Sequence, residues 1–277
     1  MTDEDETLPL VVAPEALEAR LDDPGLLIVD LCIKPETYLA GHVPGAVYLD
    51  YARIVAKRPP ATAGLLPGPG ELSAALSEIG LTPERHVVAY DDEGGGRASR
   101  LLWTLAALGH ERLSLLDGGL HAWAHEGHPL ARGAERPTPA RYEARVVRTE
   151  LVADTDWILA HLDDPHVVLV DCRTPAEYRG EKRFADRGGH IPGAVNFEWT
   201  EAMDRDRHLR LRPAGWLRER LEGLGVTPDK EVVTYCQTHH RSAHTWLVLT
   251  WLGYPRVRGY PGSWSEWGNR TDTPVET

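Results

Sequence analysis

Gly41-His-Val-Pro-Gly-Ala-Val47 returns later in the chain as Gly189-His-Ile-Pro-Gly-Ala-Val195, and this pair of stretches decides how the protein is organised. Three further matches surround it in the same order. Leu21-Asp-Asp-Pro24 with Leu27-Ile-Val-Asp30 answers to Leu162-Asp-Asp-Pro165 with Val168-Leu-Val-Asp171. Glu84-Arg-His-Val-Val-Ala-Tyr90 answers to Asp229-Lys-Glu-Val-Val-Thr-Tyr235, and Gly118-Gly-Leu-His-Ala-Trp123 to Gly262-Ser-Trp-Ser-Glu-Trp267. A period of about 145 residues is that of a domain and not of a solenoid. The expected division is an N-terminal domain over 1–135, a linker over 136–149 and a C-terminal domain over 150–277. The linker rests on the stretch from Arg132 to Arg148, which holds Pro137, Pro139 and many arginines.

Within each copy, short β-branched runs alternate with helical patterns. Leu27–Val29, Val87–Val88, Val167–Val170 and Glu231–Thr234 read as buried strands. Ala13–Leu21, Ser99–Leu108 and Ala243–Leu252 read as helices, with Pro14 suited to a first turn and Gly253 to a helix end. Strand-then-helix alternation predicts an α/β fold, two tandem domains each built on a largely parallel sheet covered by helices on both faces.

Composition narrows the function classes. The 277 residues are 42% hydrophobic and 26% charged, as in a soluble globular protein. No apolar run approaches the ~20 residues of a membrane span. The acidic start, MTDEDETLPL, lacks the basic-then-apolar order of a secretory signal, so a cytoplasmic location is expected. A net charge of −12 argues against nucleic acid as partner while leaving room for a small anion in a locally positive pocket. Three cysteines, Cys32, Cys172 and Cys236, cannot all pair and suit a reducing compartment.

The chemistry concentrates after the strand ending at Tyr235. Cys236-Gln-Thr-His-His-Arg-Ser242 precedes an apolar helix, and a short strand-to-helix loop aims backbone N–H groups at one point. Such a point stabilises a thiolate, so Cys236 is expected to be nucleophilic near neutral pH. Arg241 adds a planar cation suited to an oxyanion. His239 and His240 offer charge or hydrogen bonds. A metal held by Cys236, His239 and His240 is disfavoured, because adjacent histidines point to different places and no second ligand pair is evident.

These residues, with Asp171-Cys-Arg-Thr-Pro-Ala-Glu-Tyr-Arg-Gly180, Gly189-His-Ile-Pro-Gly193 and Gly262-Ser-Trp-Ser-Glu-Trp267, resemble the tandem rhodaneses over nearly the whole chain. The resemblance implies transfer of sulfane sulfur from thiosulfate, through a persulfide on Cys236, to cyanide or a thiol, with no cofactor. It implies that the amides from Gln237 through Thr238, His239 and His240 to Arg241 cradle the outer sulfur. Arg241 and Arg183 would face the donor's sulfonate, and Trp199 would pack near the site. Members that use 3-mercaptopyruvate typically have a small Gly/Ser-rich loop, and an arginine where Glu177 stands here. An unpaired carboxylate at Glu177 would repel mercaptopyruvate, so thiosulfate is the expected donor.

The N-terminal copy reads Asp91-Asp-Glu-Gly-Gly-Gly-Arg97 at the matching loop. Asp91 cannot carry sulfane sulfur, so this domain is expected to be catalytically silent. Cys32 and Cys172 are expected as structural thiols, and His42 and His190, which precede Pro-Gly turns in both copies, as structural histidines. A 3-mercaptopyruvate sulfurtransferase is the alternative enzyme. A persulfide carrier delivering sulfur to a protein partner is the alternative from another class. A cysteine phosphatase resembles Cys-x5-Arg, whereas four residues separate Cys236 from Arg241 here, which predicts a ring too small for phosphate.

Overall fold

A computed structural model describes residues 7–59 and 62–277. The acidic opening over 1–6, on which part of the location expectation rests, lies outside the described residues. Contacts gather the chain into two compact units. One comprises the chain up to Ile54 with Gly68–Val147 and Arg205–Arg210; the other comprises Val55–Pro67, Arg148–Asp204 and Leu211–Thr277.

In the first unit five strands lie side by side in the order Val11–Val12, Leu113–Leu116, His86–Tyr90, Leu26–Asp30, Val47–Tyr48, every neighbouring pair parallel. In the second, four strands lie in the order Val257–Gly259, Glu231–Tyr235, Val167–Asp171, Val195–Asn196, again all parallel. The central strands Leu26–Asp30 and His86–Tyr90 are buried along their whole length, as a parallel sheet covered on both faces requires. The expected α/β architecture is therefore present in both copies.

The duplication persists in individual hydrogen bonds. The hydroxyl of Tyr90 accepts the Val43 amide at 3.1 Å, and that of Tyr235 accepts the Ile191 amide at 3.1 Å. Tyr38 donates to Ala46 O at 2.9 Å, and Tyr178 to Ala194 O at 2.7 Å. His42 stacks on Tyr38 and bonds its carbonyl through Nδ1, and His190 does the same with Tyr178. These contacts give both histidines a structural place beside the turn. Trp123 and Trp267 each bury their ring and donate Nε1–H to a proline carbonyl, of Pro129 and Pro274. Each indole thus keeps a polar partner while filling the core beneath its own sheet.

The helices of interest begin before their apolar pattern does. Ser99–Leu108 extends forward to Gly96–Ala107, and Ala243–Leu252 to Arg241–Trp251, because polar first turns carry no hydrophobic periodicity. Gly253 follows the second helix at φ +83°, the left-handed turn that ends a helix at little cost for glycine. Among the described residues no helix is long and apolar enough to cross a membrane.

Candidate active site

In the second unit the strand Glu231–Tyr235 delivers Cys236 to the sheet's end, fully buried, and the helix Arg241–Trp251 leaves from the other side of the loop. The helix Ser263–Trp267 clamps that loop. Ser263 Oγ accepts the amides of Cys236 at 3.3 Å and His239 at 3.1 Å, and donates to Tyr260 O at 2.7 Å. The amides of Trp264 and Ser265 return the clamp, each 2.9 Å from the carbonyls of Cys236 and Gln237. His239 and Ser263 both sit at positive φ, +52° and +49°, a conformation that non-glycine residues keep only when their surroundings enforce it. In the first copy the residue matching Ser263 is Gly119, also at positive φ. Only the second copy carries a hydroxyl there, and that hydroxyl ties the start of the loop at Cys236 to its bend at His239.

Burial pushes the Cys236 thiol up. Opposing it are the Arg241 guanidinium, hydrogen bonds to the sulfur from the Ser242 hydroxyl and amide, and the Thr238 amide; together they win, and the thiol lies below its ordinary range. Burial also pushes up Cys32 and Cys172, but neither gains comparable compensation, and both stay well above the usual thiol range. All three cysteines are free thiols. The same residue type is thus given opposite character by its partners.

Arg241 is fixed by a two-pronged ion pair. Its Nη1 and Nη2 lie 2.8 and 2.9 Å from the two carboxylate oxygens of Glu177. Glu177 also closes a capping box with Thr174 at the start of the short helix Pro175–Tyr178. Burial alone would raise the Glu177 carboxyl; the Arg241 pairing and the Thr174 bonds bring it down to about 2. The charge argument against a carboxylate donor therefore needs correction. Glu177 is not an unpaired anion facing the site but the partner of its arginine.

The remaining candidates take different places. Gln237 turns its side-chain amide to the carbonyl of Phe184, 3.1 Å away, tying the loop to the segment that carries Arg183. Arg183 itself lies exposed, with its nearest hydrogen bond a 3.4 Å contact to Gly180 O. Thr238 gives its amide to the sulfur, whereas the His239 amide is taken by Ser263. His239 turns its ring inward, fully buried, with Nδ1 2.8 Å from Ser242 Oγ. His240 turns the other way, against Trp199 at a ring distance of 6.0 Å, and Trp199 meets His244 edge-on at 5.5 Å. The two adjacent histidines diverge. Ser242, Ser263 and the Glu177–Arg241 pair go unassigned in the sequence reading; the Gly119-for-Ser263 exchange between copies is the one signal that could have exposed Ser263.

The matching loop of the first unit is filled by its own anion. The Asp91 carboxylate, fully buried, accepts the amides of Glu93, Gly95 and Ala98 at 3.0, 2.8 and 3.0 Å. Burial and the nearby Glu93 raise its carboxyl to about 6 despite those bonds. Arg97 pairs with Asp92 and Glu93 at 2.9 and 3.0 Å. This loop has the shape of an anion cradle whose donors already serve a side chain of the chain itself.

Comparison with known proteins fits this geometry. A thiosulfate sulfurtransferase of Azotobacter vinelandii is 51% identical over 98% of both chains. One of Pseudomonas aeruginosa is 47% identical over 97% of both. A solved structure of EanB in complex with ergothioneine superposes with a TM-score of 0.85 at 26% identity, over 97% of this chain and 70% of that one. A model of the rhodanese-like domain matches residues 13–126 and again 154–270. Two copies of that domain, one loop closed on an aspartate and the other opened by a cysteine, make this chain a member of the rhodanese-like domain family.

Proposed function

We propose that this protein is a thiosulfate sulfurtransferase that carries sulfane sulfur as a persulfide on Cys236. The observation that carries the reading is the Cys236 sulfur itself, buried yet surrounded by donors from Thr238 and Ser242 and by the Arg241 charge. A thiol so held gives up its proton more readily than an ordinary one, and the thiolate is the nucleophile. It attacks the outer sulfur of thiosulfate, forming a new S–S bond, while the old S–S bond breaks and sulfite leaves with its electron pair. Cyanide or a thiol then attacks the outer sulfur of the persulfide, taking it as thiocyanate or as a new persulfide and returning the thiolate. No cofactor takes part in either step.

Gln237, Thr238, His239, His240 and Arg241 form the loop that receives the donor, with Arg183 and Trp199 at its margin. The N-terminal copy is silent, because Asp91 occupies the position of the nucleophile and the loop amides already serve its carboxylate. Along the sequence the two copies are domains over 1–135 and 150–277, joined across 136–149, with Val55–Pro67 of the first packing in the compact unit that holds Cys236. Free thiols throughout support a reducing compartment, the cytoplasm.

Intact mass spectrometry before and after thiosulfate, then after cyanide, tests the reading. Wild type should gain one sulfur atom and lose it to cyanide, and Cys236→Ser should gain none. A wild type that gains nothing from thiosulfate overturns it.

A further inference from the structure

Within the loop that receives the donor, the ring of His239 turns inward to Ser242. It is fully buried, and Nδ1 stands 2.8 Å from Ser242 Oγ. Its backbone is held at φ +52° with its amide on Ser263, which turns the ring towards the helix and away from His240. Ser242 is also fully buried, and its hydroxyl bonds the Cys236 sulfur. Three consecutive groups, imidazole, hydroxyl and sulfur, therefore form one hydrogen-bonded line.

A hydroxyl has one proton to give. If Ser242 gave it to His239, it would present only lone pairs to a thiolate. If His239 donates instead, the hydroxyl proton has the sulfur as its remaining partner. We propose that His239 is a positioning residue that keeps its proton on Nδ1, donates to Ser242 Oγ and so aims the Ser242 hydroxyl at Cys236. The line stabilises the thiolate through the Ser242 hydroxyl, which the imidazole N–H holds in place.

The proposal rests on Cys236 being the sulfur carrier, and its test must be separable from that reading. The pH dependence of iodoacetamide alkylation at Cys236, read by peptide mass, reports the thiolate whether or not thiosulfate is the donor. Arg241, paired with Glu177, and the Cys172 thiol act on this sulfur, and the elements packed about the loop also carry Asp171 paired with Arg173, and His240 and His244 against Trp199. Glu266 belongs to the clamping helix and bonds Tyr260. All of these are retained in every variant compared.

His239→Gly removes the ring and suits a positive φ. It should move the alkylation midpoint up by about one pH unit, a tenfold loss of thiolate below the midpoint. Ser242→Ala should do the same, and the double variant should go no further than Ser242→Ala alone. His239→Asn keeps an N–H near the Nδ1 position and tolerates the left-handed backbone, so it should stay at the wild-type midpoint. An unchanged midpoint in His239→Gly, or a His239 effect that adds in full to that of Ser242→Ala, overturns the proposal. Should His239→Gly fail to fold, a His239→Asn midpoint raised as far as that of Ser242→Ala overturns it equally.

Discussion

Gly64 faces the carbonyl oxygen of Thr238 so closely that a β-carbon on it would stand 2.1 Å from that oxygen. The antiparallel strands Ala56–Arg58 and Thr62–Leu65 come from the N-terminal half of the sequence but belong to the unit that holds Cys236. Ser265 anchors them further, accepting the Ala63 amide at 3.0 Å and donating to its carbonyl at 2.8 Å. The sulfur loop is thus backed by chain far from it in sequence.

Gly64→Ala should therefore damage both stability and transfer. Its φ is +85° and the obstructing atoms are backbone, so neither partner can yield cheaply. A loss of roughly 2 kcal/mol or more is expected in urea unfolding, with thiosulfate kcat/KM reduced about tenfold. Gly70→Ala is the control. It lies at the start of the helix Pro69–Glu78 with open space around it and should be neutral or slightly stabilising. Equal behaviour of the two variants would remove the argument.

Ser263 holds the amides of Cys236 and His239, so Ser263→Ala leaves two buried donors without an acceptor. A stability loss of about 2 kcal/mol is expected, with sulfur transfer reduced roughly tenfold. Ser263→Gly relieves the positive φ but leaves the same amides empty. It should unfold later than Ser263→Ala in urea yet transfer sulfur no better. Full activity in the glycine variant would show that the backbone shape suffices.

Glu177→Gln strips the partly buried Arg241 of its buried counter-charge. The Glu177 carboxyl titrates near 2 in the folded protein against an ordinary 4.5, so its stabilisation is complete above 4.5. It is lost as the pH falls from there towards 2. Urea unfolding at pH 7 should show the variant weaker by about 2–3 kcal/mol, with the gap to wild type narrowing below pH 4.5. A gap that does not change with pH would mean that something other than the ion pair was lost.

Asp91→Ala separates scaffold from catalysis. Three amides lose their acceptor in the first unit, which should cost about 2–4 kcal/mol in unfolding experiments. The persulfide mass gain after thiosulfate should be unaltered. Loss of loading in a folded Asp91→Ala protein would give the N-terminal loop a part in catalysis.

The repeated strands, the Pro-Gly turns, the tryptophan pairs and the Cys236 loop were all legible in order along the chain, because each is a local pattern of apolar period, turn residue or charge. The parallel sheets follow from the same alternation. Glu177 was legible as a residue but not as a partner. The fold sets Arg241 against its charge, a pairing between positions that no local period connects. The inward turn of His239 and outward turn of His240 were equally hidden, since they depend on a φ set by Ser263 on another helix.

By itself the sequence determined the duplication, the α/β architecture and which of the two loops carries a thiol, since these depend on residue type and spacing along one strand and one helix. Tertiary structure alone decided what that thiol is. The partners that oppose its burial include Arg241, set in place by Glu177, and Ser242, bonded to His239, in a loop clamped by Ser263 and backed by Gly64. Electrostatic and hydrogen-bond strength depend on ångström distances and on the exclusion of water, and those exist only once distant segments have packed.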